Sequence, residues 1–216
     1  MITKPISYSL AEQDFIESTI YSIDFTHLYW NKNTPKKTNR PKELEKDIER
    51  IKKKIKEHYI KIQKYRCCYC WHVYHTTHKL IWWTDHIIPK SDNKLLMFEP
   101  KNLCVSCPDC NNKKNDQKVL KDGIPNTLSL KSDDYIIIHP HLDKYKEHIY
   151  TDGKLYLPIN KSSKAIKTIE ICKLTRFIGM EFDDEERDPL LIQYYDDELT
   201  ALDMEEICEM FGGGLI

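Results

Sequence analysis

The chain contains 216 residues, of which 40% are hydrophobic and 31% are charged, and its formal net charge is -1. These values are typical of a soluble, globular protein that buries a real core, organised as one domain with appendages. No run approaches the roughly 18 apolar residues of a membrane-spanning helix, and residues 1–4 lead into a mixed polar segment rather than a signal peptide. The sequence therefore argues against a membrane protein, and we expect a cytoplasmic location.

The small net charge conceals an asymmetry between two parts of the chain. Residues 1–121 carry 23 Lys and Arg against 14 Asp and Glu, a net charge of +9, whereas residues 122–216 carry a net charge of -10. A basic front part suits a polyanionic partner, and the acidic rear part is expected to face elsewhere.

Residues 1–64 are predicted to form an N-terminal helical region. Ser9 and Glu12 have the spacing of a capping box, so a first helix is expected to begin there, and residues 31–41 are typical of a polar, basic connector. Residues 42–64 predict a second helix, because apolar side chains recur at helical spacing among many lysines. Its apolar stripe is Leu44, Ile48, Ile51, Ile55 and Ile62. The lysine face is either a solvated surface or one that follows phosphate groups.

Eight cysteines in a reducing compartment favour metal binding over a disulfide framework, because six of them lie between positions 67 and 110. A Cys-x-x-Cys pair places two thiolates on one tight turn, and two such pairs complete the tetrahedral shell that zinc prefers. Cys68 and Cys104 offer alternative registers, which spacing alone does not decide. We select the register in which the second pair ends directly before Asn111, and we expect Cys172 and Cys208 to be buried thiols. The predicted zinc ligands are Cys67, Cys70, Cys107 and Cys110.

Polar groups of a different kind lie between the two cysteine pairs and directly after the second. Asp85 and His86 fall in a predicted strand over residues 79–88, where adjacent side chains point in opposite directions. One of them can therefore bind a metal ion while the other addresses a water molecule. Taken alone, an Asp-His pair is better explained by a structural hydrogen bond. The nearby Asn102 and Asn111, with the flanking cysteine pairs, favour a reactive site.

Residues 67–114 resemble the HNH nuclease superfamily, whose active unit is a ββα-metal module of two strands and a helix. In that family the histidine is the general base, the preceding aspartate and the last His or Asn of the motif bind one divalent cation, and the middle Asn supports the histidine. The resemblance implies these roles for His86, Asp85, Asn111 and Asn102 respectively. The chain departs from many members in having Asn111 where they have histidine, a difference that bears on metal affinity.

The implied reaction is the hydrolysis of a phosphodiester bond, with DNA as the expected substrate. A histidine, whose ordinary pKa of about 6.5 lies near neutral pH, can accept the proton of the attacking water. Oxygen ligands from Asp85 and Asn111 select Mg²⁺ or Mn²⁺, which offsets charge on the phosphate and on the leaving oxygen. We expect Lys90, Lys113 and Lys114 to hold the nucleic-acid backbone without reading bases, which predicts little sequence preference.

Residues 122–216 are predicted to form a mixed α/β extension with an acidic tail. Residues 135–138 and 154–157 are typical of strands, residues 152–153 of a turn and residues 163–176 of a helix.

The acidic tail is predicted to contain an amphipathic helix over residues 199–211. Three interpretations are open: its apolar face packs on this chain, it docks a basic partner, or it occupies the DNA groove.

The segment from Ile138 to Asp143, followed by His148, is similar to an extension of PtuB-like HNH proteins from Septu-type antiphage defence systems. Those proteins act with an ABC-type ATPase, so the resemblance implies a PtuA-like partner. We assign no catalysis to His139 and His141. The series His72, His75 and His78 is expected to supply surface or DNA-side polar groups, because a strand would direct alternate residues to opposite faces.

The expected fold is α+β: N-terminal helices over 1–64, a ββα-metal HNH core with structural zinc over 65–121, and the mixed α/β extension with its acidic tail over 122–216. The predicted function is a metal-dependent HNH endonuclease, the nuclease subunit of an ATPase-gated antiphage defence complex. Two alternatives are a zinc-dependent nucleic-acid-binding adaptor without catalysis and a standalone HNH nuclease acting on RNA or DNA. A Cys-x-x-Cys thiol oxidoreductase ranks last, because no thioredoxin-like βαβ pattern accompanies the pairs.

Overall fold

The computed structural model describes residues 1–22, 25–31, 42–76, 78 and 80–177. Over these residues the chain forms four α-helices and two small two-stranded antiparallel sheets, which confirms the predicted α+β class. No helix in these ranges combines the length and apolarity needed to cross a bilayer. Residues 32–41 of the predicted 31–41 connector, the tail from residue 178 onward and Cys208 lie outside the described residues.

The first helix, α1 (Leu10–Ile20), begins with the predicted capping box. The backbone N–H of Glu12 donates to the Ser9 hydroxyl, and the Glu12 carboxylate accepts from the Ser9 N–H at 2.9 Å. The same carboxylate accepts from Arg50 at 2.8 Å and from Lys54 at 2.5 Å, and Glu12 is only 5% exposed. One buried acid therefore caps α1 and ties it to the next helix.

The long helix α2 (Lys42–Ile62) packs against the first sheet along the predicted apolar stripe. Ile48, Ile51 and Ile55 are fully buried, whereas the two ends of the stripe are half-buried. Tyr59 adds to this face: its hydroxyl donates to the Pro100 carbonyl at 2.5 Å and accepts from the Ile6 N–H at 3.2 Å. The lysine-bearing side of α2 stays outside the core.

The first sheet pairs β1 (Trp83–His86) with β2 (Leu103–Ser106), and the chain then enters the short helix α3 (Pro108–Lys114). Asp85 lies opposite Cys104 and His86 opposite Leu103 in the antiparallel register. The strand is shorter than the predicted 79–88, because the Ile81 N–H closes a turn onto the His78 carbonyl before the ladder begins. Two antiparallel strands and a helix thus follow one another within residues 83–114.

The second sheet pairs β3 (Ile149–Thr151) with β4 (Tyr156–Pro158) and precedes α4 (Ser163–Ile171). The predicted turn joins the strands, since the Asp152 carboxylate accepts from the N–H groups of Lys154 and Leu155 at 2.8 Å.

The strand predicted for residues 135–138 does not form. Tyr135 makes one isolated bridge with Leu120, and the Ile138 N–H donates to the Thr168 hydroxyl instead of to a neighbouring strand. The predicted helix also ends early, at Ile171. A short 3₁₀ helix over Leu174–Phe177 follows it.

The two histidines of the His-Pro segment lie in the core. His139 is 1% exposed, and the His141 ring shares a hydrogen bond with the Leu103 carbonyl at 2.7 Å. Asp143 accepts from the His139 N–H at 2.7 Å and from the Lys164 ammonium at 2.8 Å. Burial lowers the pKa of His139 to about 3 and that of His141 to about 4, so both rings are neutral near pH 7. The segment joins the C-terminal part to strand β2.

These neutral histidines predict acid sensitivity. A histidine in the unfolded chain has a pKa of about 6.5, so below that pH the unfolded chain binds protons that the folded chain does not bind. The free energy of unfolding therefore decreases as the pH falls. Between pH 6 and 4.5 each buried ring should lower the free energy of unfolding by roughly 1 kcal/mol per pH unit. His141→Gln should flatten this dependence in urea unfolding curves, whereas the exposed His75→Gln should not. Equal slopes for His141→Gln and wild type would contradict the prediction.

Candidate active site and metal centre

Four cysteine thiols converge in the interior. The Sγ atoms of Cys67, Cys70, Cys107 and Cys110 all lie within 4.8 Å of one another, and all four residues are buried. Tetrahedral zinc with Zn–S bonds of about 2.3 Å holds its sulfur atoms about 3.8 Å apart, close to the 4.0 Å between Cys70 and Cys107. The quartet can therefore hold a metal ion such as zinc, and the register selected from the sequence is the one that converges.

Donors from the surrounding chain stabilise this thiol cluster. The backbone N–H of Cys107 donates to Cys67 Sγ at 3.3 Å, and that of Cys110 donates to Cys107 Sγ at 3.5 Å. Arg176, from the 3₁₀ helix after α4, donates to Cys110 Sγ at 3.1 Å. Hydrogen bonds and positive charge favour the thiolate form that metal binding requires. The contribution of Arg176 has no sequence signal, since it comes from 66 residues away along the chain.

Three further described cysteines lie outside the quartet. Cys68 and Cys104 place their Sγ atoms 3.3 Å apart in the core, and Cys172 is 1% exposed, as predicted. Burial raises the pKa of the Cys68 and Cys172 thiols, which keeps them protonated. They are separate from the four converging thiols and complete the buried cysteines of this region.

The carboxylate of Asp85 is the centre of a polar network beside this cluster. Its Oδ2 accepts from the Tyr69 hydroxyl at 2.5 Å and lies 3.2 Å from the Lys114 ammonium, while its Oδ1 accepts from the Asn111 amide at 3.1 Å. Tyr69 lies inside the first cysteine pair, and Asn111 directly follows the second. The cysteine cluster and the carboxylate site are therefore built from the same two segments.

His86 points to the opposite face of the strand from Asp85, as the strand alternation predicts. Its ring is 5% exposed, and Nε2 lies 3.0 Å from the Met97 carbonyl oxygen. Because a carbonyl only accepts, Nε2 carries the proton and Nδ1 is the acceptor. Trp30 packs edge-on against the ring at a centroid distance of 4.5 Å. The histidine is thus held in one tautomer and covered by the N-terminal region.

Several cations surround the His86 ring. Burial lowers its pKa to about 3, and the positive charges of Lys90, Lys114 and Lys52 act in the same direction. The ring is therefore neutral near pH 7. Lys114 is balanced by Asp85 at 3.2 Å and Lys52 by Glu49 at 2.9 Å, so the net positive charge near the ring is smaller than three.

Asn102 is fully buried and closes the loop between β1 and β2. Its Oδ1 accepts from the Ile88 N–H at 2.7 Å, and its Nδ2 donates to the carbonyls of Ile88 at 3.0 Å and Leu96 at 3.2 Å. Leu96 directly precedes Met97, whose carbonyl orients His86. Asn102 thus contacts the loop that supports the histidine rather than the ring itself.

The three lysines predicted to hold a nucleic-acid backbone occupy different environments. Lys113 is exposed on α3, and Lys90 is half-buried just after β1, where burial lowers its pKa. Lys114 is 0% exposed and donates to the His86 carbonyl at 2.8 Å in addition to its pairing with Asp85. Its predicted backbone contact is therefore replaced by a positioning role, because its ammonium group is turned inward between the two key residues.

The His72, His75 and His78 series does not join the cysteine group. His75 and His78 are exposed, as expected of surface groups. His72 differs: its Nε2 lies 2.5 Å from the Gly153 carbonyl and 3.1 Å from the Tyr156 hydroxyl. It therefore attaches the segment after the first cysteine pair to the second sheet.

We predict that the quartet binds one zinc ion per chain. Cys107→Ser should lose the zinc and most of the folded structure, because structural zinc contributes on the order of 10 kcal/mol in small modules. Cys104→Ala is the matched control, since it removes another buried thiol of the same hairpin and should keep the zinc. Metal content by mass spectrometry and far-ultraviolet circular dichroism measure both. Equal zinc content in the two variants would contradict the assignment.

Comparisons with known proteins gave no relative. No family model, no curated protein and no solved structure matches the chain. The resemblance to the HNH superfamily therefore rests on the motif residues alone, and the site's own geometry has to support any function.

Proposed function

We propose that the chain is a metal-dependent endonuclease of the HNH type, which hydrolyses phosphodiester bonds in DNA, and that residues 83–114 are its ββα-metal module. One observation carries the proposal: Asp85 and His86 lie side by side on a strand, with Asn111 brought to 3.1 Å from the carboxylate by the following helix. A hard-cation ligand pair and a neutral imidazole on adjacent strand residues, facing opposite sides of the strand, are the groups that metal-assisted hydrolysis needs.

Asp85 and Asn111 would hold Mg²⁺ or Mn²⁺. A carboxylate has about four acceptor positions, and three donors use the Asp85 carboxylate, so one position remains on Oδ1. A half-turn of the Asn111 amide exchanges its nitrogen for its oxygen and completes a pair of hard ligands. A bound cation would offset negative charge on the phosphate and on the leaving oxygen.

His86 is proposed to accept the proton of the attacking water at Nδ1. The bond between Nε2 and the Met97 carbonyl fixes the tautomer that leaves Nδ1 able to accept. The charge of a bound phosphodiester would raise the pKa of His86 from its low value, because a neighbouring anion favours the protonated ring. Since Trp30 packs on the ring, substrate access requires the Trp30 side chain to shift.

Positive groups on three elements would hold the substrate anion. Lys90 follows β1, Lys52 projects from α2 and Lys113 is exposed on α3. Lys114, by contrast, balances the buried charge of Asp85 and holds the strand carbonyl next to it. Contacts of this kind bind a phosphate backbone without reading its sequence.

A narrower proposal makes the chain the nuclease subunit of a Septu-type antiphage complex with an ABC-type, PtuA-like ATPase. It rests on the similarity of the His-Pro segment to PtuB-like proteins. The contact of His141 with the Leu103 carbonyl supports it in one respect, because the segment packs directly on the proposed nuclease hairpin.

A non-catalytic, zinc-dependent nucleic-acid adaptor is the second candidate. The observation that favours it is the burial of both reactive groups, since Asp85 is paired with Lys114 and each of Asp85 and His86 is 5% exposed. A standalone HNH nuclease acting on RNA or DNA would use the same residues without a partner. A thiol oxidoreductase fits less well, because all four paired cysteines converge in one cluster.

Plasmid cleavage with Mg²⁺ or Mn²⁺, with and without the candidate ATPase, tests the proposal. His86→Ala should lower the cleavage rate by about 10²- to 10⁴-fold, the usual contribution of a general base. The exposed His75→Ala is the matched control and should cut like wild type. Equal cleavage rates for His86→Ala and wild type would contradict the role of His86 as general base. DNA binding without any cleavage by the wild type would favour the adaptor.

A further inference from the structure

A groove of about 890 Å³ lies between the outer face of α2 and the start of β1. Four lysines of one helix face line it: Lys52, Lys53, Lys56 and Lys61. Two acids also line it: Glu49 pairs with Lys52 at 2.9 Å, and Glu57 lies 3.8 Å from Lys53 with both side chains more than half exposed, so four lysines face two acids. Exposed pairs of this kind contribute little. The groove therefore carries a surplus of positive charge.

The opposite side of the groove is apolar and aromatic. Trp83 at the start of β1 is 43% exposed, and Leu80 in the preceding turn is 73% exposed. Tyr65 and Trp30 line the same groove. A surface that combines a lysine row with an accessible indole offers charge for a backbone and a flat face for a base.

The groove leads to the proposed active site. Thr84 lines it and directly precedes Asp85. Trp30 lines it and also packs against the ring of His86 at 4.5 Å. Lys52 belongs to the groove, and its ammonium donates to the Trp30 carbonyl at 2.7 Å. A polymer lying in the groove would therefore pass beside the buried Asp85 and His86, and a shift of the Trp30 side chain would open the way to the His86 ring.

We propose that this groove binds a single strand of nucleic acid, with the backbone along the α2 lysines and bases stacked on Trp83. A duplex keeps its base faces inside the helical stack and presents its phosphates outward, so it would leave the exposed indole without a counterpart. The inference rests on the proposed nuclease function only for what happens after binding. It narrows the substrate of that site to single-stranded or unpaired segments.

Fluorescence anisotropy with labelled oligonucleotides of about 12 nucleotides, a length within the usual site sizes, tests the inference without added Mg²⁺ or Mn²⁺. The full-length chain should bind the single strand at least tenfold more tightly than the matching duplex. Trp83→Ala should weaken single-strand binding by about tenfold, because stacking on an aromatic ring is lost. Trp83→Phe should retain most of the affinity. Tyr21→Ala, which removes an exposed ring outside the groove, should have no effect.

The salt dependence of the same binding tests whether the groove lysines contact the backbone of the single strand. Replacing Lys53 and Lys56 together by alanine should reduce the slope of log K against log salt by about 1.4, since each backbone contact on a single strand contributes about 0.7. The matched double control, Lys144→Ala with Lys146→Ala, changes two exposed lysines outside the groove and should leave the slope unchanged.

Three results would overturn the inference: equal or tighter binding of the duplex, no effect of Trp83→Ala, or competition by polyglutamate as strong as that of the oligonucleotide. The last would identify an acidic polypeptide as the occupant.

Cleavage of the same oligonucleotides with Mn²⁺ separates the two proposals. Cutting of the duplex without preferential single-strand binding would contradict the proposed role of the groove and would still support the proposed nuclease activity. Preferential single-strand binding without any cutting, either with or without the candidate ATPase, supports the groove as a binding site and overturns the proposed nuclease activity.

Discussion

The arrangement of the site depends on the convergence of four cysteine thiols from two segments that lie about 40 residues apart. The first segment carries Tyr69 and the second carries Asn111 and Lys114, and all three side chains meet at the Asp85 carboxylate. A metal ion shared by the four thiols would add the stabilisation that structural zinc gives to small modules. The same two segments that carry the cysteine cluster therefore position the polar groups around Asp85.

The buried charge of Asp85 is balanced within the site. A carboxylate that is 5% exposed requires compensation, and the fully buried Lys114 provides it from 3.2 Å while also donating to the His86 carbonyl. Removing one member of such a pair leaves an uncompensated buried charge, which is more costly than removing both. The neutral His86 ring lies next to this balanced pair and near two further lysines, so the surroundings favour an anion over a cation at the histidine face.

Much of this arrangement could be predicted from local sequence patterns. The capping box at Ser9 and the buried stripe of α2 follow from spacing, which reflects the geometry of a helix. Spacing also predicts a cysteine cluster, but the choice of register depends on the position of the second pair directly before Asn111. The inward position of Lys114 could not be predicted. A lysine in a helix is normally exposed, and only the tertiary structure places the buried carboxylate of Asp85 next to it. Trp30 and Arg176 come from distant parts of the chain, and the Ile138 N–H bonds to the Thr168 hydroxyl rather than to a strand. Such contacts depend on tertiary packing and leave no periodic signal.

We propose that sulfur ligands stabilise the fold, while the oxygen ligands of Asp85 and Asn111 and the imidazole of His86 are left free of zinc and available for catalysis. X-ray absorption spectroscopy at the zinc edge of the purified chain tests this division most directly. Four sulfur neighbours at about 2.3 Å, with no nitrogen or oxygen in the first shell, are the predicted result. A mixed shell containing imidazole or carboxylate ligands, or the absence of bound zinc, would contradict it.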